Sequence, residues 1–226
     1  MNVETNIKDV LIRIKAAAER TDREASNIQL VVVSKNVSLE KIEEAYKAGQ
    51  KNFGENRVQE WMQKHSLLPG NCEWHIIGRL QTNKIKYLNE RVTLIHSLDR
   101  FSLLEKLNSE GEKNQIIWPT LVQVNVARDQ AKAGLEIEEV KDFLLSAKDF
   151  PYVRVSGLMT IGALKAEPEE TRGYFRKLRE LRDNLLRQGV GNEEELKHLS
   201  MGMSQDYELA VEEGATIVRI GSKIFG

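Results

Sequence analysis

Cysteine is all but missing from this chain, with Cys72 alone among 226 residues. A single thiol excludes an intramolecular disulfide, leaves no cluster for zinc or iron–sulfur ligation, and points to the cytoplasm. A surplus of either charge is missing as well: 33 Lys and Arg stand against 34 Asp and Glu, a net charge of −1. That balance argues against a dedicated nucleic-acid binder, which needs an excess of Lys and Arg on at least one face, and leaves open only a local basic patch. No apolar run approaches the roughly 18 residues of a membrane span. The N-terminal stretch MNVETNIKDVLIRIKAAAER mixes charge among its apolar residues, so it lacks the core of a signal peptide. Neither secretion nor a membrane partner is expected. Pro- or Ser-rich linkers, low-complexity tracts and breaks in composition are absent too, so 1–226 reads as one domain, expected as a monomer.

What the chain does contain is an alternation. Ile7, Val10, Leu11, Ile14 and Ala18 recur at helical spacing, which predicts an amphipathic helix over 6–25 within a segment, 1–27, that packs on the remainder of the domain. Thereafter short runs rich in β-branched residues alternate with longer helical patterns, the signature of βα units and a parallel sheet. The predicted strands are 30–34, 52–53, 74–77, 93–96, 120–125, 153–158, 196–199 and 216–220. The predicted helices are 39–48, 57–66, 82–89, 101–110, 137–148, 169–188 and 203–213. Units of about 28 residues suit a compact (β/α)8 TIM-like barrel with few insertions. A doubly wound open sheet competes, but no glycine-rich nucleotide fingerprint follows the first strand.

A parallel barrel builds its site where strands end, and the residues there are polar: Ser34-Lys35, Gly54-Glu55-Asn56, His75 and Gly78, His96-Ser97, Asn125, Met159, Ser200, and Arg219 with Gly221-Ser222. Lys35 follows an apolar run, so a desolvated amine, nucleophilic toward an aldehyde, competes with a solvated strand-end lysine. The run Leu199-Ser200-Met201-Gly202-Met203-Ser204 and the later Gly221-Ser222 offer backbone N–H groups to an anion, and barrels often bind phosphate after strands seven and eight. Plain turn and cap usage is the alternative. Alternation aims Arg219 inward with Ile217, where it serves a phosphate, a structural carboxylate or a ring nitrogen.

The remaining candidates carry less. His65 reads as surface, His198 as strand packing, and only His75 and His96 approach the mouth. No HExxH-like spacing occurs, and Cys72 and His75, three apart on a strand, point to opposite faces, so no metal site is expected. Trp61, Trp74 and Trp118 read as core. The charged stretch 165–182 reads as the solvated side of a long helix.

Eight blocks carry a resemblance: VSKN at 33–36, FGENRVQE at 53–60, WHIIGRLQTNK at 74–84, IHSLD at 95–99, KAG at 132–134, GLMTI at 157–161, LSMGMSQDYELA at 199–210 and VRIGSKIFG at 218–226. Together they resemble the pyridoxal-phosphate homeostasis proteins of the YggS/PROSC type. The resemblance implies a fold-type III barrel similar to the N-terminal domain of alanine racemases, holding pyridoxal 5′-phosphate (PLP) as a Schiff base on Lys35. It implies phosphate binding by Ser200, Gly202, Met203 and Ser204 and by Gly221 and Ser222. Arg219 would donate to the pyridine nitrogen, and Asn56, His75 and Met159 would complete the surroundings. The implied role is vitamin B6 and amino-acid or keto-acid balance, with PLP held and delivered to apo-enzymes without robust catalysis. A low-activity amino-acid racemase and a noncovalent binder of another phosphorylated metabolite are the alternatives. Alanine racemases take an opposing tyrosine from a second, β-rich domain and a partner subunit, and no such domain is expected here. Many relatives carry Pro where this chain has Val37 or Ser38, so the loop after Lys35 is expected to be less rigid.

Overall fold

The computed structural model describes residues 2–129, 131–162 and 166–226. Helix α1 (Val3–Glu19) leads into strand β1 (Gln29–Val33), and seven further strands follow: β2 (Asn52–Glu55), β3 (Glu73–Ile76), β4 (Val92–Leu98), β5 (Trp118–Gln123), β6 (Val153–Met159), β7 (His198–Ser200) and β8 (Ile217–Ile220). All neighbours pair in parallel in sequence order, and β8 returns to β1 with Val31 opposite Arg219, closing the predicted barrel. The helices are α2 (Leu39–Lys47), α3 (Val58–Lys64), α4 (Phe101–Asn114), α5 (Val140–Ala147), α6 (Pro168–Arg187), α7 (Tyr207–Glu212) and α8 (Ser222–Phe225).

Alternation along the strands separates two apolar layers. Leu30, Val32, Phe53, Trp74, Ile76, Val218 and Ile220 face outward into the main core beneath the helices, joined there by Trp61 and Trp118, so the three tryptophans are core as expected. Val31, Leu94, Leu121, Met159 and Ile217 face inward and form a separate small cluster in the lumen. Helix α1 buries Ile7, Val10, Ile14 and Ala18, and Asn6 Nδ2 donates to Ile224 O at 2.9 Å, which ties it to α8.

Several predicted bounds shift, each for a local reason. Helix α1 stops at Glu19 rather than at 25, because Asp22 takes a left-handed conformation (φ +53°) and the Arg23 N–H returns to Ala18 O at 3.0 Å. The predicted helix over 203–213 starts only at Tyr207: the Asp206 carboxylate accepts the Met203 N–H at 2.6 Å and holds a turn in its place. Segment 82–89 forms a 3-10 helix, Thr82–Tyr87, and Ile137–Glu139 is also 3-10 before α5 begins. Strand β2 extends to Glu55, and β7 starts at His198 rather than at 196. Residue 165 of the charged stretch lies outside the described residues, and from Pro168 on the stretch falls on α6, whose buried face carries Phe175, Leu178 and Leu185.

Candidate functional site

Lys35 stands on a clamped turn. Ser34, the residue after β1, is fully buried, and Lys35 and Asn36 are exposed, with Asn36 at φ +56°. Three side chains hold this turn from behind: Ser34 Oγ donates to Glu55 Oε1 (2.7 Å), Lys64 Nζ donates to Ser34 O (2.8 Å), and the Asn36 N–H donates to Glu60 Oε2 (2.8 Å). Lys64 also pairs with Glu55 at 2.8 Å. Burial pushes the Glu55 carboxyl up from its usual range, opposed by Lys64 and Ser34, and its Oε2 has no partner among the described residues. Of the two readings of Lys35, the solvated strand-end lysine is the one its exposure matches, on a turn backed by these contacts.

The loops after β7 and β8 are joined to each other and to β1. Ser204 Oγ accepts from the Gly221 N–H (3.3 Å) and the Lys223 N–H (3.5 Å), and Gly202 O accepts the Arg219 N–H (3.0 Å). Gly202 is at φ +93°, and a Cβ there would lie 2.5 Å from Ala210 Cβ, so only glycine fits. A Cβ on Gly221 would lie 3.1 Å from Val33 O, which places this loop against the end of β1, two residues before Lys35. Gly202, Met203, Ser204, Gly221, Ser222 and Lys35 thus belong to one sector of the mouth. Ser222 is exposed and opens α8.

Below them runs a polar chain through the lumen. Arg219 is buried, and its guanidinium donates to Ser200 Oγ and, at 2.9 Å, to Thr160 O. Ser200 Oγ meets His96 Nδ1 at 2.9 Å, His96 Nε2 meets His75 Nδ1 at 2.9 Å, and His75 Nε2 meets Asn52 Oδ1 at 3.4 Å. Asn52 Oδ1 also accepts from Gln29 Nε2 at 2.6 Å. One proton arrangement satisfies every pair: the guanidinium donates to Ser200, Ser200 to His96, His96 through Nε2 to His75, and His75 through Nε2 to Asn52. Both imidazoles are then neutral Nε2–H tautomers. Burial holds His75 down to about 3 and His96 well below its usual value, with His75 and Arg219 adding repulsion at His96. Burial also lowers Arg219 to about 10, opposed by Asp206, so it stays a cation at neutral pH.

Within this geometry the candidate residues fall at different depths of the barrel. Ser200 is expected to face a phosphate, yet its hydroxyl is committed within the lumen to Arg219 and His96. His75 is expected near the mouth, yet it points toward Asn52, the first residue of β2, at the opposite end of the barrel. Met159 belongs to the lumen cluster, fully buried. Asn56 lies in the loop after β2, half-buried. Asn125 holds its own loop, donating to Asp129 O at 3.1 Å. His65 is half-buried, stacked on Trp61 with centroids 4.1 Å apart, rather than at the surface. Sequence reasoning missed Glu55, Glu60, Lys64, Thr160 and Asp206 as supports. No His, Cys, Asp and Glu cluster able to hold a metal exists among the described residues.

The alanine racemase N-terminal domain family matches residues 11–226. The pyridoxal phosphate homeostasis protein of Aquifex aeolicus is 49% identical over 228 residues, covering 100% of this chain and 98% of its own. PipY of Synechococcus elongatus, solved with PLP bound, matches with a TM-score of 0.83 and 35% identity, covering 95% of this chain and 100% of its own. An alanine racemase of Clostridium difficile shares the fold at 15% identity, with a TM-score of 0.76 over 56% of its length. The chain therefore belongs to the alanine racemase N-terminal domain family and, within it, to the pyridoxal phosphate homeostasis proteins.

Proposed function

We propose that this protein binds PLP at the mouth of the barrel and serves as a holder and donor of the cofactor in PLP homeostasis rather than as an enzyme. The observation that carries this reading is Arg219: a buried, protonated guanidinium whose hydrogen-bond partners, Ser200 and Thr160 O, are both neutral. Such a cation suits an anionic ligand with a ring acceptor, and the surrounding residues fit PLP. The loop of Gly202, Met203 and Ser204, with Gly221 and Ser222, would hold the phosphate through backbone N–H and hydroxyl groups. Lys35 Nζ would take the covalent attachment. Asn56 stands in the neighbouring loop, and Met159 beneath.

When bound, PLP supplies an aldehyde that condenses with amines and a ring that withdraws electrons. Arg219 would offer that ring nitrogen donors and no readily lost proton, which would leave the nitrogen unprotonated and the withdrawal weak, favouring holding over catalysis. The exposure of Lys35 supports exchange with solvent or with apo-enzymes that receive PLP. In this reading the protein acts as a cytoplasmic monomer.

The test is an absorbance spectrum of the purified protein, then borohydride reduction and peptide mass mapping. A visible band lost on reduction, with a phosphopyridoxyl mass on the Lys35 peptide and none in Lys35→Ala, is the expected result. A colourless protein unmodified after incubation with PLP refutes the reading. Racemisation of L-alanine above the rate of free PLP refutes its non-catalytic part.

A further inference from the structure

The blocks 53–60 and 74–84 send only part of their polar residues to the barrel mouth. The rest converge on a cleft of about 780 Å³ beside α3, opposite the 3-10 helix Thr82–Tyr87. That volume lies within the range of small-ligand sites, roughly 300–1,000 Å³. In a chain of net charge −1, this one cleft is lined by Arg57, Arg79, Lys84 and Arg100. Among the described residues Glu60 is the sole carboxylate lining it, and its Oε2 already accepts the Asn36 N–H at 2.8 Å and faces Lys64 at 3.5 Å.

The cations are also aimed. Asp99, whose side chain is 2% exposed, anchors both Arg79, through Nε at 3.2 Å, and Arg100. Arg79 thereby keeps the outer edge of its fork free, with its side chain 66% exposed. Arg100 is fixed a second time on Leu80 O at 2.9 Å. Among the described residues, Arg57 and Lys84 form no pair with a carboxylate. Four cations face two carboxylates here, Asp99 and Glu60, which leaves an excess of positive charge that a multiply charged anion relieves, with the guanidinium forks matching phosphate or carboxylate oxygens in pairs.

We propose that this cleft, which borders the mouth at Asn56 and Gly78, is a second ligand site, distinct from the loops after β7 and β8, that binds a small oxyanion carrying at least two negative charges. Isothermal titration with inorganic pyrophosphate and with citrate, in 50 mM and 200 mM chloride, tests it and separates a phosphate ligand from a polycarboxylate. At least one probe is expected to bind, several-fold more weakly at the higher salt, and to lose tenfold or more in affinity in the double variant Arg57→Gln, Arg79→Gln. Ser204→Ala, which alters the mouth instead, is expected to leave that affinity within twofold. Binding of neither probe, binding insensitive to salt, or an equal loss in Ser204→Ala overturns the proposal. Circular dichroism of the double variant confirms that it folds, as expected for two exposed side chains.

Discussion

Acidification will destabilise this protein through its lumen, and the size of the effect follows from the imidazole chain. His75 is neutral when folded, with its pKa held down to about 3, whereas an unfolded histidine titrates near 6.5. Above the unfolded value both states are neutral and nothing is lost. As pH falls below it the unfolded chain takes up a proton that the folded chain refuses, so stability drops by about 1.4 kcal/mol per pH unit until the folded value is reached. At pH 5 that amounts to about 2 kcal/mol from His75 alone. His96, held well below its usual value, acts in the same direction. Against a typical total of about 5–15 kcal/mol this is a large fraction. Glu55 and Asp206, both raised by burial, work in the opposite sense at lower pH, so the comparison must be between variants. Urea unfolding of the parent and of His75→Asn between pH 7.5 and 5 should give curves whose slopes below pH 6.5 differ by about 1.4 kcal/mol per unit. Long-range ¹H–¹⁵N correlation of the histidine rings should show both His75 and His96 as Nε2–H tautomers that do not titrate down to pH 5. Parallel stability curves, or an Nδ1–H tautomer at His96, would refute the chain of donors from Arg219 to Asn52.

Two further outcomes concern the mouth. Lys64→Met leaves the buried Glu55 carboxylate with Ser34 as its one donor and should cost about 3–5 kcal/mol at pH 7.5. The cost should shrink as pH falls, because burial favours the protonated form of Glu55, and vanish in large part when Glu55→Gln is added, all read by urea unfolding. Gly202→Ala forces a side chain into a left-handed residue at φ +93° and against Ala210, a strain of about 1–3 kcal/mol. It should lower the melting temperature by about 2–4 °C for each kcal/mol, and an unchanged melting point would show that the loop relaxes freely.

The fold was legible because its signal is local. Eight short strand-like runs at regular spacing, the first seven each followed by a helical pattern, favour a closed parallel barrel over an open sheet. Arg219 could be aimed inward because it alternates with Ile217 on the same short strand. The supports could not be read, because their partners are distant in sequence. Ser200 meets His96 across 104 residues, and Lys64 reaches Ser34 across 30. Which lumen side chains touch depends on strand tilt and stagger, which residue patterns do not encode. Where local chemistry competed with periodicity, as when Asp206 takes the Met203 N–H, the pattern misplaced the start of a helix.

The polar lumen and the charge at the mouth are one device. Barrels of this kind usually fill their interior with branched aliphatic side chains, and Val31, Leu94, Leu121 and Ile217 do so here. A carboxylate beside Arg219 would have stabilised the buried guanidinium most simply, but it would also have cancelled the field that reaches the mouth. Neutral groups solve the same problem differently. Ser200, His96 and His75 each pass on a hydrogen bond in one direction, ending on Asn52 Oδ1, so their dipoles add and stabilise the cation without neutralising it. The nearest acid with an influence, Asp206, is turned to the Met203 N–H. The guanidinium therefore keeps its charge for whatever sits above it, and the histidines serve it by remaining neutral. A protonated His96 would repel Arg219 and break the chain, so burial of both imidazoles is a condition for the charge at the mouth.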